Sequence, residues 1–292
     1  MPIKIDYTTE EKIISVPLPN HGGKYAVIPH KVIIDKTKEE LTKAGFDINQ
    51  ALYKSTVTGN IANGIYHLNY GEDPDMKLMF AWSNSYDKTQ KFKCGIGGYV
   101  FVCANGVLIG DMGSGSRKHM GTTAKDDAFE FIENQIKDAK KHYDTLIRHK
   151  EMMKKIIITR PTQAAIMGRL FADEEIINLT QLAIIKREID NPSHNYNAPV
   201  DSVWTLYNHI TLSLKESHPT SWMDDHNKLH NFFMNEYKLQ LQKPQTGSLP
   251  ETVIQEIEQT PVKPEKEVDL EKPNPTPEPV KVPERTYGVV FL

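Results

Sequence analysis

Apolar residues recur along this chain at two different periods, and the change from one to the other divides it. In ALYKSTVTGNIANGIYHLNY, MKLMFAWS and KFKCGIGGYVFV, apolar and β-branched side chains alternate or gather in short blocks, the pattern of strands. Two Asn-Gly pairs, Asn63-Gly64 and Asn105-Gly106, are of the kind that closes tight hairpins. These segments therefore predict an antiparallel meander that continues into VLIGDM. Upstream, KYAVIPHKVIIDKTKEELTKAGF predicts a strand and then a helix from about Lys31, stopped by Gly45. His30 precedes the periodic run Ile33, Ile34, Leu41, so it is expected at the start of that helix rather than as a ligand.

After GSGSRKHMGTT the period lengthens. Thr123 with Asp126 three residues on resembles a capping box, and Phe129, Ile132, Ile136, Ala139, Tyr143, Leu146, Met153 and Ile157 recur mostly at intervals of three and four. That is one apolar stripe on a single long helix over about 124–157, roughly 50 Å at 1.5 Å per residue. Helical spacing continues through ADEEIINLTQLAIIKREID, DSVWTLYNHITLSLKES and residues 221–242. The fold class expected is α+β: an antiparallel β-meander with one helix and a long following helix, then an α-helical second half.

Both periods fade near Lys243. Nine of the eighteen prolines follow it, and nine acidic residues face five basic ones. Such a segment cannot bury enough apolar surface to offset its ordering, so a solvated, disordered acidic tail is expected. It ends in TYGVVFL, whose Tyr287, Val289, Val290, Phe291 and Leu292 suit a short docking peptide for a partner, or a β-prone end that packs on its own domain. The divisions expected are 1–123, mostly β with one helix; 124–242, the helical part of the same domain; and 243–292, the tail.

Composition narrows the class. A chain of 292 residues builds a sizeable core, and a net charge of −3 creates no global basic field. Two cysteines fit a reducing compartment rather than a disulfide scaffold. No apolar run reaches the roughly 18 to 20 residues of a membrane span, and the N-terminal residues lack the order of a signal peptide. A soluble intracellular protein is expected.

The glycines invite a phosphate loop, but GIGGYV has Val100 where a dinucleotide fingerprint needs its third glycine, and GDMGSGSRK lacks the required Lys-Ser/Thr pair. GSGSRK keeps the weaker character of an anion-binding loop before a helix. Cys94 and Cys103 have no CxxC or HExxH partners, so structural thiols are expected and no metal or cofactor. His226 and His230, at i and i+4, read as surface residues. Between Ser85 and Arg160 fourteen Lys and Arg face nine Asp and Glu. Lys88, Lys91, Lys93, Arg117, Lys118, Lys137 and Lys141 could line a basic groove, with Trp82, Tyr86, Phe92 and Tyr99 for base stacking. The alternative is an ordinary solvated helix face.

The order NSYD (Asn84, Ser85, Tyr86, Asp87), FKCGIGGYVFVCANGV with Cys103, Asn105 and Gly106, and then RKHMGT with Lys118 and His119, resembles the phage/plasmid-like family known as domain of unknown function 932. VIPHKVIIDKTKEELTKAGF and VWTLYNHIT share the likeness, which covers about 24–233. Members of the family usually carry His where Tyr86 stands, so a proton-transfer role at that position is not expected here. The resemblance implies a phage, prophage or plasmid origin and a bacterial host cytoplasm, and brings no reaction with it.

Three roles remain open. The first is a non-enzymatic protein binding single-stranded nucleic acid, alone or as a homo-oligomer; its helix–meander–helix order matches strand-annealing proteins by fold-level analogy alone. The second is an interaction protein that docks a host or phage protein through the tail. The third, an enzyme, requires Asp87, Cys103 and His119 to converge.

Overall fold

The computed structural model describes residues 7–21, 26–101, 105–109 and 123–237. All of these fall in one compact unit, Met1–Gln242. The tail, with Tyr287, Val289, Val290, Phe291 and Leu292, lies outside the described residues, as do Cys103, Arg117, Lys118 and His119.

The fold is α+β. A five-stranded antiparallel sheet runs in chain order: β1 (Ile48–Ser55), β2 (Ile61–Leu68), β3 (Met76–Ser85), β4 (Lys93–Val100) and β5 (Asn105–Ile109). Helices α1 (Glu10–Ile14) and α2 (His30–Lys43) precede it. After it come α3 (Ala124–Lys137), α4 (Ala139–Lys155), α5 (Arg160–Ala172), α6 (Leu179–Asp190), α7 (Val203–Ser213), a 3-10 turn over Leu214–Glu216, and α8 (Trp222–Glu236).

The expected meander is present, but neither Asn-Gly pair makes its turns. Asn63 and Gly64 lie inside β2, paired with Lys54 and Tyr53 on one side and Ser83 and Trp82 on the other. Here glycine serves close approach: a Cβ on Gly64 would overlap the Trp82 indole. The β1–β2 hairpin is closed instead by residues 56–60, with Gly59 at φ +73°. Asn105 and Gly106 open β5, opposite Val100 and Tyr99.

The sheet is buried on both faces, which explains the near-continuous apolar run of β3. One face carries Tyr53, Tyr66, Phe80, Trp82, Cys94 and Ile96 against Ile33, Ile34 and Leu41 of α2 and Ala128, Phe131 and Ile132 of α3. The opposite face carries Ile65, Met79, Ala81 and Tyr99 against Trp222 and Met223 of α8. A third cluster joins α4 through α8, and every residue of α7 is buried.

Helix α2 begins at His30, after Pro29, and ends in a Schellman motif: Phe46 N–H bonds Leu41 O at 2.9 Å and Gly45 N–H bonds Thr42 O at 3.0 Å, with Gly45 at φ +78°. Residues 26–29 form no strand. The long helix expected after the sheet is interrupted at Asp138, whose backbone (φ −90°, ψ 4°) separates α3 from α4. Thr123 is the N-cap of α3, yet its side chain bonds no helix N–H; its hydroxyl sits 3.5 Å from the Asp127 carboxylate.

Candidate functional site

Three features of the first unit bear on function: the Asn84–Asp87 signature, the exposed lysines, and polar groups buried between the sheet and the helices.

The signature is partly turn and partly core. Asn84 and Ser85 end β3 and are fully buried. Asn84 is no turn residue, because its amide donates to Ile28 O at 2.8 Å and meets His30 Nδ1 at 2.9 Å. With Nδ1 accepting, the His30 proton sits on Nε2, 3.1 Å from Gly59 O. Tyr86 stacks on the His30 ring, centroids 3.8 Å apart, and its hydroxyl accepts the His30 backbone N–H at 2.6 Å, capping α2. This is the task the tyrosine performs in the signature turn. Asp87 alone does what a turn demands: it accepts from Ser85 Oγ at 2.6 Å, Thr89 N at 3.1 Å and Thr89 Oγ1 at 2.5 Å. Burial alone would raise its carboxyl, but those hydrogen bonds outweigh burial and hold it below the usual range.

The expected basic groove is only partly assembled. Lys88, at φ +67°, and Lys91 are exposed on the β3–β4 turn. Lys93 is drawn inward to Asp224 of α8 at 2.5 Å. Trp82, Tyr86, Phe92 and Tyr99 are all buried, so none presents a face for base stacking; each fills the space between sheet and helices instead. Lys137 and Lys141 are exposed, as are Lys140 and Arg148. Among the described residues no carboxylate lies within ion-pair distance of these four, whereas Lys36, Lys38 and Lys43 of α2 are all paired.

Cys94 is fully buried and its thiol is pushed up by that burial, as a structural thiol should be. His226 and His230 are not surface residues; both are buried on α8 and held near pKa 3, burial being the main cause. Their i, i+4 spacing turns them toward the sheet and toward α4 and α7. Sequence reasoning also missed two buried lysines. Lys150 of α4 donates to Asp73 at 2.6 and 2.7 Å, and with Lys154 it also engages Asp75, tying the β2–β3 loop to the helix. Lys54 of β1 donates to Lys215 O at 2.9 Å. The alternation of β1 places Lys54 and Leu52 on one face, which is the one signal that could have found it. Among the described residues no cluster of His, Cys, Asp and Glu suits a metal ion.

These features define an α+β protein whose signature turn is built into the joint between its sheet and its second helix. The family described as "Domain of unknown function (DUF932)" matches residues 18–231, most of the chain, and the protein belongs to it. No curated protein and no solved structure matches the chain.

Proposed function

We propose that the protein is a non-enzymatic nucleic-acid-binding accessory protein of a phage or mobile element, acting on single strands in the bacterial cytoplasm. The observation that carries this reading is the exposed basic row Lys137, Lys140, Lys141 and Arg148, which no carboxylate pairs among the described residues, spanning the end of α3 and the first turns of α4. Lys141 and Arg148 are seven residues apart, so they share a face of α4 about 10 Å apart along its axis. Asp138 and Asp144 are the only acids within that stretch, leaving the row cationic. Lys88 and Lys91 supply further exposed charge. The setting follows from the sequence resemblance rather than from geometry.

With the aromatic side chains buried, the contact is electrostatic and made to phosphates, and base identity contributes little. Binding of a labelled single-stranded oligonucleotide, followed by fluorescence anisotropy across a salt series, tests the proposal. Each phosphate contact on a single strand contributes about −0.7 to the slope of log K against log salt. Replacing Lys137, Lys141 and Arg148 together with Gln therefore flattens that slope by about 2 and weakens binding at low salt. Absence of binding at low salt, or an unchanged slope in the triple variant, overturns it.

A further inference from the structure

Four polar side chains stand in one line across the sheet face that meets α8. Lys54, Asn63, Ser83 and Lys93 are direct cross-strand neighbours on β1 to β4. At about 4.8 Å between strands the line is about 14 Å long. The chain segment 215–224 covers it: Lys54 Nζ donates to Lys215 O and Asn63 Nδ2 to Pro219 O, both at 2.9 Å, and Lys93 pairs with Asp224. Ser83 Oγ accepts from Gln90 at 2.8 Å.

The two ends of the line differ in charge balance. Lys93 faces a carboxylate. Lys54 is 7% exposed, and among the described residues no carboxylate lies within ion-pair distance of it; one carbonyl accepts one of its three N–H groups. A lysine buried without a counter-charge is costly and rare. Its amine is depressed to about 8, first by burial, with Lys215 adding to that and the charge of Glu216 opposing it. Two further buried groups, on its cross-strand neighbour Asn63 and on His226 of α8, lack partners among the described residues. Asn63 Oδ1 is buried with nothing bonded to it, and so is Nδ1 of His226, a residue 1% exposed. Lys54 and Lys215 are close enough to His226 for their charges to lower its basicity, after burial. The unspent set is thus a cationic donor at Lys54, a neutral imidazole nitrogen at His226 and an acceptor at Asn63.

We propose that the Lys54 end of this line binds a phosphate that keeps a proton: its charged oxygens accept from Lys54 Nζ and from His226 Nδ1–H, and its P–OH donates to Asn63 Oδ1. At neutral pH inorganic phosphate meets all three demands. Sulfate carries the charge but has no O–H at neutral pH, and so leaves the Asn63 oxygen unpartnered. Lys54 lies on an edge strand, and what covers it is a 3-10 turn and the loop after it rather than a helix, which suits entry from that side. The assignment is independent of the basic row on α3 and α4.

The test is thermal unfolding of the full chain at pH 7, with sodium phosphate or sodium sulfate at matched ionic strength. Phosphate raises Tm saturably and sulfate does not. Lys54→Met keeps the buried stem, removes the charge, and weakens the phosphate response about tenfold or more. Asn63→Ala narrows the gap between phosphate and sulfate. Equal responses to the two anions, no response to phosphate, or a full response in Lys54→Met each overturn the proposal. Should either variant fail to fold, titration calorimetry of the native chain with phosphate and with sulfate decides the same question. A parallel arm with adenosine 5′-monophosphate, whose phosphoryl group has largely lost its last proton at pH 7, reads the P–OH directly: stabilisation by inorganic phosphate alone supports the bond to Asn63 Oδ1, and equal stabilisation by the ester overturns it. Unchanged oligonucleotide binding by Lys54→Met keeps this site distinct from the nucleic-acid proposal.

Discussion

His149 Nδ1 on α4 and His230 Nε2 on α8 stand 3.0 Å apart, and Tyr207 of α7 reaches the other nitrogen of His230 at 3.3 Å. One proton between the two rings joins three helices: one of the two facing nitrogens donates and the other must stay bare to accept. The Tyr207 hydroxyl, able to donate or accept, bonds the remaining nitrogen of His230 in either arrangement. Protonation of both facing nitrogens would set two N–H groups against each other in a buried place.

Acid should therefore loosen the helical half before the carboxylates titrate. Burial first, then the charge of Arg148, lowers His149 to about 4; burial, then His149, lowers His230 to about 3. Both lie below the unfolded value of 6.5, so the unfolded chain binds more protons between these limits. The stability they contribute is full above about pH 6.5 and is lost as pH falls toward 4 and then 3, by about 1.4 kcal/mol per pH unit for each ring. Urea unfolding at pH 7, 6 and 5 measures that slope. Replacing both histidines with Leu should flatten it; an unchanged slope in the double variant contradicts the assignment.

Gly64 and Trp82 form the tightest joint in the sheet. Gly64→Ala places a methyl group inside the indole and should cost about 1–3 kcal/mol, the range for overpacked cores. Trp82→Phe opens that space, so the double variant should lose less than the sum of the two single losses. Chemical denaturation of the four proteins reads the coupling, and strict additivity would place the clash elsewhere.

Lys150 is 1% exposed against Asp73 and Asp75. Lys150→Met leaves Asp73 without its counter-charge and Asp75 with Lys154 alone, and should cost about 3 kcal/mol or more. Adding Asp73→Asn should recover part of that loss. Burial would raise the Asp75 carboxyl, but Lys154 and Lys150 outweigh it and hold it low, so this stability persists at neutral pH and declines only as pH falls through the folded-state value. Hydrogen exchange at 70–77 should accelerate in the single variant and slow again in the double; identical exchange in all three would break the link to the loop.

The fold class could be read from periodicity because it is a property of repeated positions. Alternation along β1 to β4 and three-four spacing along α3 and α4 each rest on many residues, so no single exception hides them. Turns rest on one or two residues, and there the reading failed. Asn63-Gly64 carries the signature of a hairpin, but the need for room under Trp82, a contact across strands, explains the glycine equally well. Tyr86 and Phe92 suit a stacking platform by type, and only packing reveals that they face inward. His226 and His230 share the spacing of a solvated pair. What buries them is the sheet face beneath and the helices beside them, partners far away in sequence. Lys93 has the look of a free cation in the sequence because its partner, Asp224, is 131 residues downstream.

Two of the donors in the line across the sheet, Lys54 and Asn63, are met by main-chain carbonyls, those of Lys215 and Pro219. A carbonyl is present whatever side chain its residue carries. The demand for chemical identity is therefore lopsided: the strands must supply an amine and an amide at fixed positions, while the segment that covers them must supply only its path. Substitutions at 215 and 219 that preserve that path should pass unnoticed by the joint, and a one-residue insertion between them, which leaves every side chain intact, should break it.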